Sequence, residues 1–231
     1  MLELIVEDLK SVYRRDPAIH SRLELFFNYP GVWAVINYRI ANWFYRKGVH
    51  LLARMWMGIS QIFTNIDIHP AATIGRRVFI DHGIGVVIGE TAIVGDDVTI
   101  YQGVTLGGVS LNPGKRHPTI ESGVVIGAGA KVLGNITIGY NSKIGANSVV
   151  VKSVPPESTA VGIPARVVTK GRDKSPLSHN KLPDINKELF EYLLKRVAVI
   201  EHLLGEEHKE LLEEDRKLEE IYDAFLKSMK Q

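Results

Sequence analysis

The sequence predicts a mainly β fold, a parallel β-helix of hexapeptide repeats, with a helical region before it and a helical extension after it. Three observations carry this reading. Residues 68, 74, 80, 88, 94, 100, 106, 120, 126, 132, 138, 144 and 150 are all Ile, Val or Leu. Glycine directly follows the aliphatic residue at 75, 89, 95, 107, 127, 139 and 145. The beat of six breaks only twice, with two extra residues within 81–87 and eight within 107–119. Six is too short for a helical repeat and too long for simple strand alternation, so it fits a short strand plus a tight turn. Three such sides close one coil, and each coil buries its apolar side against the next. The pattern by itself does not set the hand of the coil.

Residues 1–66 read as helical. Leu2, Ile5, Leu9 and Val12 fall at helical spacing, and Asp16-Pro17 resembles a helix start with proline at its first position. Residues 26–63 hold all three tryptophans, which suits helix–helix packing. Residues 67–172 form the β-helix. Residues 173–231 return to helix after a polar stretch. Phe190, Val197, Leu204, Leu211, Leu218 and Phe225 are spaced by seven, while Glu207 and Glu214 interrupt the companion column. Two amphipathic helices, with Gly205 between them, fit better than one coiled coil.

Composition excludes several functions. Of the 231 residues 45% are apolar and 23% charged, and a net charge of +2 with no basic run gives nucleic acid little hold. With no cysteine there is no disulfide, no zinc–thiolate site and no thiol nucleophile. Glu3, Glu7 and Asp8 make the first ten residues a poor secretory signal. Arg39, Arg46, Lys47 and Arg54 interrupt the most apolar stretch, so no membrane span is expected. A cytoplasmic enzyme or binding protein is the expectation.

The interruptions point to chemistry. A repeat breaks where something outweighs regular stacking, and each break carries a histidine, His82 and His117. Imidazole is the side chain that exchanges protons near neutral pH. A carboxylate that accepts a hydrogen bond from one ring nitrogen leaves the other as a base, and Asp67 or Asp81 could serve His82 in this way. Lys115 and Arg116 beside His117 suit a carboxylate or phosphate.

The stretches "DIHPAATIG", "IDHGIGVVIGET", "VTLGG", "KRHP", "IGAGAKVLG" and "VGIPAR", with "RDPA" upstream, resemble the bacterial serine O-acetyltransferases over roughly residues 13–171. The resemblance implies a left-handed β-helix, assembled as a homotrimer with active sites between subunits. It implies transfer of acetyl from acetyl-CoA to the hydroxyl of L-serine, for cysteine synthesis, by direct attack on the thioester and without a metal. Carried over, His82 is the general base and Asp67 its partner. Asp16 and Asp81 hold the substrate ammonium, Arg116 holds its carboxylate, and His117 lies near the reacting centre. Backbone N–H groups near Gly107 and Gly108 face the oxyanion. Ala128, Gly145 and Ala146 admit the pantetheine arm, and Ile163, Pro164, Arg166 and Lys170 lie near the adenine and phosphates. L-cysteine is implied as a feedback inhibitor in the serine site. The helical region of 66 residues is shorter than in the long, hexameric members, which favours a plain trimer. The ending Met229-Lys230-Gln231 lacks the isoleucine by which long members engage O-acetylserine sulfhydrylase, so that complex is not expected.

Three rival readings share part of this pattern. A sugar or antibiotic O-acetyltransferase shares the coil and a histidine base but does not need Asp16, Asp81 and Arg116 for an amino acid's two charges. A β-helical carbonic anhydrase needs three protein ligands for its zinc, and no third histidine follows His117 closely. A non-enzymatic scaffold needs none of the candidate site residues.

Overall fold

A computed structural model describes residues 2–15, 19–21, 23–170 and 185–205. The helices α1 (Leu2–Arg15), α2 (Glu24–Phe27), α3 (Pro30–Arg46) and α4 (His50–Thr64) precede the β-helix and form one compact unit with it. Proline opens α3, where its missing N–H costs nothing. The helix start expected at Asp16-Pro17 lies outside the described residues. α4 closes on Asn65, whose φ of 54° is left-handed. A further helix, α5 (Ile185–Gly205), belongs to a second unit. The second helix expected beyond Gly205 lies outside the described residues. No helix among the described residues is long and apolar enough to cross a membrane.

The repeat region is a three-sided coil. Its first face stacks β1 (Asp67–Ile68), β4 (Val87–Ile88), β7 (Thr105–Gly107), β10 (Lys131–Leu133) and β13 (Val149–Val150). The second stacks β2 (Thr73–Ile74), β5 (Ile93–Val94), β8 (Thr119–Ile120) and β11 (Thr137–Ile138). The third stacks β3 (Phe79–Ile80), β6 (Thr99–Ile100), β9 (Val125–Ile126), β12 (Lys143–Ile144) and β14 (Ser158–Gly162), and β15 (Ala165–Lys170) closes it antiparallel to β14. All pairings between coils are parallel and in register.

All thirteen repeat aliphatics are buried in one continuous core. Burying each is worth about 1.5–3 kcal/mol of transfer free energy. The register also measures the coils. Val87 pairs with Thr105 and Lys131 with Val149, an advance of 18 residues in each case. Asp67 pairs with Val87, an advance of 20, and Thr105 pairs with Lys131, an advance of 26. The excess residues, two and eight, are the two interruptions. The first lies at the edge between the third and first faces, the second at the edge between the first and second faces.

The helices are tied to the coil by polar contacts. Tyr38 Oη donates to the Ala72 carbonyl at 2.6 Å, and Asn42 donates to the Pro70 carbonyl at 2.8 Å. Arg15, the last residue of α1, pairs with Asp97 at 2.8 Å and donates to Thr99 Oγ1 at 3.3 Å.

Candidate active site

The edge between the third and first faces carries the first histidine. Between β3 and β4 the chain makes two very tight turns, with the Gly83 N–H donating to the Asp81 carbonyl at 2.6 Å and the Ile84 N–H to the His82 carbonyl at 2.9 Å. His82, Gly83 and Gly85 all have positive φ, 58°, 71° and 75°. Left-handed residues recur at corners of this coil, as at Arg77, Asp97 and Asn147, but only here do three fall within four positions. The two glycines bear most of the conformational cost, and His82 is lifted into solvent. The Asp81 N–H donates to the Ile100 carbonyl at 2.8 Å, which pins the start of the bulge to the next coil.

The same edge continues down the coil as a ladder. The Gly103 N–H donates to the Ile84 carbonyl at 2.9 Å, Gly129 to Gln102 at 2.8 Å, and Asn147 to Ala128 at 2.8 Å. Ala128, Gly145 and Ala146 therefore stack in line below His82. A Cβ at neighbouring Gly127 would strike the backbone of Ala146, so this edge stays narrow. Ile163 and Pro164 end the same face, exposed, and Arg166 is exposed beside them on β15. The backbone of Lys170 ends β15; its side chain lies outside the described residues.

The second cluster occupies the other edge of the first face. A cleft of about 500 Å³ is lined by Asp67, His69, Glu90, Arg116 and His117, with Arg54 and Gln61 of α4 on its rim. Arg116 is ion-paired with Glu90 through Nη2, its only side-chain hydrogen bond among the described residues. The guanidinium holds the Glu90 carboxyl below its usual range, and the remaining guanidinium donors stay available to an anion. His117 is 8% exposed, with Thr91 Oγ1 at 2.8 Å from Nδ1. Burial pushes its pKa down, and neighbouring Arg116 and Lys115 push the same way. A Cβ at Gly89 would overlap the His117 ring, and one at Gly108 would crowd both that ring and Arg116. Gly107 ends β7, where its carbonyl accepts from the Gly134 N–H at 2.9 Å.

Of the residues singled out in the sequence, the fold gathers Asp67, Arg116 and His117 at one cleft, with Gly107 and Gly108 beneath the loop. His82, Asp81, Ala128, Gly145 and Ala146 lie on the opposite edge of the same face. Within one chain His82 does not line the cleft and does not hydrogen-bond to Asp67. Asp16 lies outside the described residues, one position after the anchored Arg15. Sequence reasoning assigned no role to Glu90, Thr91 or Arg54 and gave His69 no part in the chemistry. His69 Nδ1 accepts from the Ala71 N–H at 3.1 Å, and the residue lines the cleft, where burial lowers its pKa. Among the described residues no group of three or more His, Cys, Asp or Glu is placed to hold a metal.

Comparison with known proteins agrees with this architecture. Residues 117–152 match the pattern described as "Bacterial transferase hexapeptide (six repeats)". The chain is 52% identical to a serine acetyltransferase of Mycobacterium tuberculosis over 207 residues, 89% of this chain and 90% of that protein. It superposes on a serine acetyltransferase solved in complex with cysteine with a TM-score of 0.73 and 42% identity, covering 76% of this chain and 68% of the other. A serine acetyltransferase solved in complex with CoA gives 0.69 and 43%, covering 72% and 69%. Identity of this order over nine-tenths of both chains, on a hexapeptide coil that winds left-handed, means that the chain belongs to the serine acetyltransferase family.

Proposed function

We propose that this chain carries acetyl from acetyl-CoA to the hydroxyl of L-serine at a seam between two copies of itself. The observation that carries the seam is the division of the site residues between the two edges of one face. A ring of three copies, related by a closed three-fold axis, sets the His82 edge of one against the Arg116–His117 edge of the next. The family's chemistry needs both halves, and one chain holds them apart.

In this reading Arg116 holds the serine carboxylate with the guanidinium donors that Glu90 does not use. Asp81, and Asp16 beyond the anchored end of α1, take the ammonium. His82, with Asp67 fixing its tautomer, removes the hydroxyl proton as the oxygen attacks the thioester carbonyl. The tetrahedral oxyanion meets backbone N–H groups near Gly107 and Gly108. It collapses by breaking the C–S bond, and the departing thiolate takes the proton back from the His82 imidazolium. O-acetylserine and CoA leave. Acetyl-CoA lies along the edge of small residues, Ala128, Gly145 and Ala146, toward Ile163, Pro164, Arg166 and Lys170. L-cysteine, which offers the same ammonium and carboxylate as serine, occupies the serine site as a feedback inhibitor.

Subunit mixing tests the seam. His82→Asn and Arg116→Ala chains are each expected to be nearly inactive alone. Any mixed ring contains one junction with both wild-type halves, so random mixing at equal amounts restores about a quarter of wild-type sites. Thiol release from acetyl-CoA with L-serine reads the outcome. Mixed rings that stay as inactive as their parents would place the whole site within one chain.

A further inference from the structure

Next to the cleft-lining Glu90 stands Thr91, to which the reaction set out above assigns no part. Thr91 follows Glu90 at the edge of the first face, and the loop carrying Lys115, Arg116 and His117 folds onto it. Its Oγ1 accepts the backbone N–H of Arg116 at 3.0 Å and that of His117 at 3.1 Å. Its carbonyl accepts from Lys115 Nζ at 2.7 Å. With both hydroxyl lone pairs engaged, the hydroxyl proton points to the remaining neighbour, His117 Nδ1, at 2.8 Å. The Thr91 backbone N–H donates to the same nitrogen at 3.2 Å.

Two donors aimed at Nδ1 make that nitrogen an acceptor. The ring proton therefore sits on Nε2, which has no hydrogen-bond partner among the described residues and lies against Gly89 and Gly108, in the cleft. We propose that Thr91 is a positioning residue that locks His117 as the imidazole protonated on Nε2, making His117 a hydrogen-bond donor to a substrate oxygen. The two histidines then divide the work: His82 accepts a proton and His117 only donates a hydrogen bond. The donor role rests on the serine acetyltransferase reading of the cleft, whereas the tautomer does not.

Long-range proton–nitrogen NMR of the imidazoles, with His117 assigned by its loss in His117→Gln, reads the tautomer in the substrate-free protein near neutral pH. The expected result is an Nε2-protonated neutral ring in wild type and in Thr91→Ser, and a mixture of tautomers in Thr91→Val. In the kinetic assay Thr91→Val lowers kcat/KM by about 10–100-fold, the usual cost of losing a group that orients a reacting side chain. Thr91→Ser, which keeps the hydroxyl, restores most of it. His117→Gln retains an N–H near the Nε2 position and cannot act as a base, so it keeps more activity than His117→Ala. A wild-type ring protonated on Nδ1, or Val and Ser variants equally impaired, would overturn the proposal. Wild-type protein that shows the expected tautomer but no serine-dependent thiol release would instead overturn the functional reading alone.

Discussion

Replacing His82 with asparagine will lower kcat/KM for serine acetylation by about 10²–10⁴-fold, the range spanned by general-base assistance. Asparagine is the informative substitution because of the backbone. At φ 58° His82 occupies the left-handed region, which asparagine tolerates better than most residues, whereas alanine there adds strain of its own. His82→Asn therefore removes the proposed base and spares the turn. Two controls follow from the geometry. The thermal midpoint should move little, because the side chain is exposed and the bulge is held by Gly83, Gly85 and the Asp81–Ile100 hydrogen bond. The KM for acetyl-CoA should also move little, because the small residues below His82 are untouched. A variant with near-normal turnover would show that His82 is not the base. A large loss of midpoint would mean that the bulge is structural and the activity result secondary.

The coil was legible because its signal is redundant. Each of the thirteen aliphatics is inward-facing and each reports the same period, so two interruptions could not hide it. A second inward column two residues earlier, including Ile66, Val78, Val86, Val98, Val104 and Val124, was not read. Alanines 72, 92 and 130 and the buried Ser142 and Ser148 share it, and small or polar residues blur an apolar pattern. Ser142 and Ser148 sit inside because each finds a partner: the Ser142 hydroxyl donates to the Pro155 carbonyl at 2.7 Å, and Ser148 Oγ accepts from the Gly162 N–H at 3.1 Å. The site was legible only in part. His82 and His117 announced themselves by breaking the beat. Glu90 and Thr91 keep the beat, and their partners Arg116 and His117 lie 26 residues on. Only the longer third coil brings that loop back over the glycines at 89 and 108. Spacing along the chain also gave no hint that His82 and Arg116 fall on opposite edges of one face. That follows from which corner each interruption occupies, and the corner is known only once the register is known.

Replacing Arg39 with methionine should cost about 3–5 kcal/mol of stability, the usual penalty for stranding one member of a buried ion pair. Arg39 of α3 and Asp8 of α1 are 7% and 5% exposed. Nε donates to Asp8 Oδ2 at 3.1 Å, Nη1 donates to the Ile74 carbonyl at 2.6 Å, and Nη2 reaches the Gly75 carbonyl. The Arg77 N–H adds a bond to Asp8 Oδ1 at 2.9 Å. Even with these partners, burial holds the Asp8 carboxyl above its usual pKa, against the opposing pull of Arg39. Without the guanidinium the folded-state pKa climbs further above the unfolded value. The folded state then binds a proton more tightly than the unfolded chain, so stability falls as pH rises through that interval and recovers on acidification. Urea unfolding should therefore show a deficit that is largest near pH 7 and smaller near about pH 5, and adding Asp8→Asn should recover part of it at neutral pH. A deficit independent of pH, or untouched by Asp8→Asn, would mean that Arg39 acts by packing alone. The consequence for function runs through α1. Arg39–Asp8 and Arg15–Asp97 are two of the contacts that dock this helix, beside Glu7–Arg76 and the packing of Val12, and Asp16, proposed above to hold the substrate ammonium, is the next residue after Arg15. Molecules of Arg39→Met that remain folded should show a raised KM for serine and a nearly unchanged KM for acetyl-CoA, because a loosened α1 displaces one ligand of the amino group and nothing along the small-residue edge.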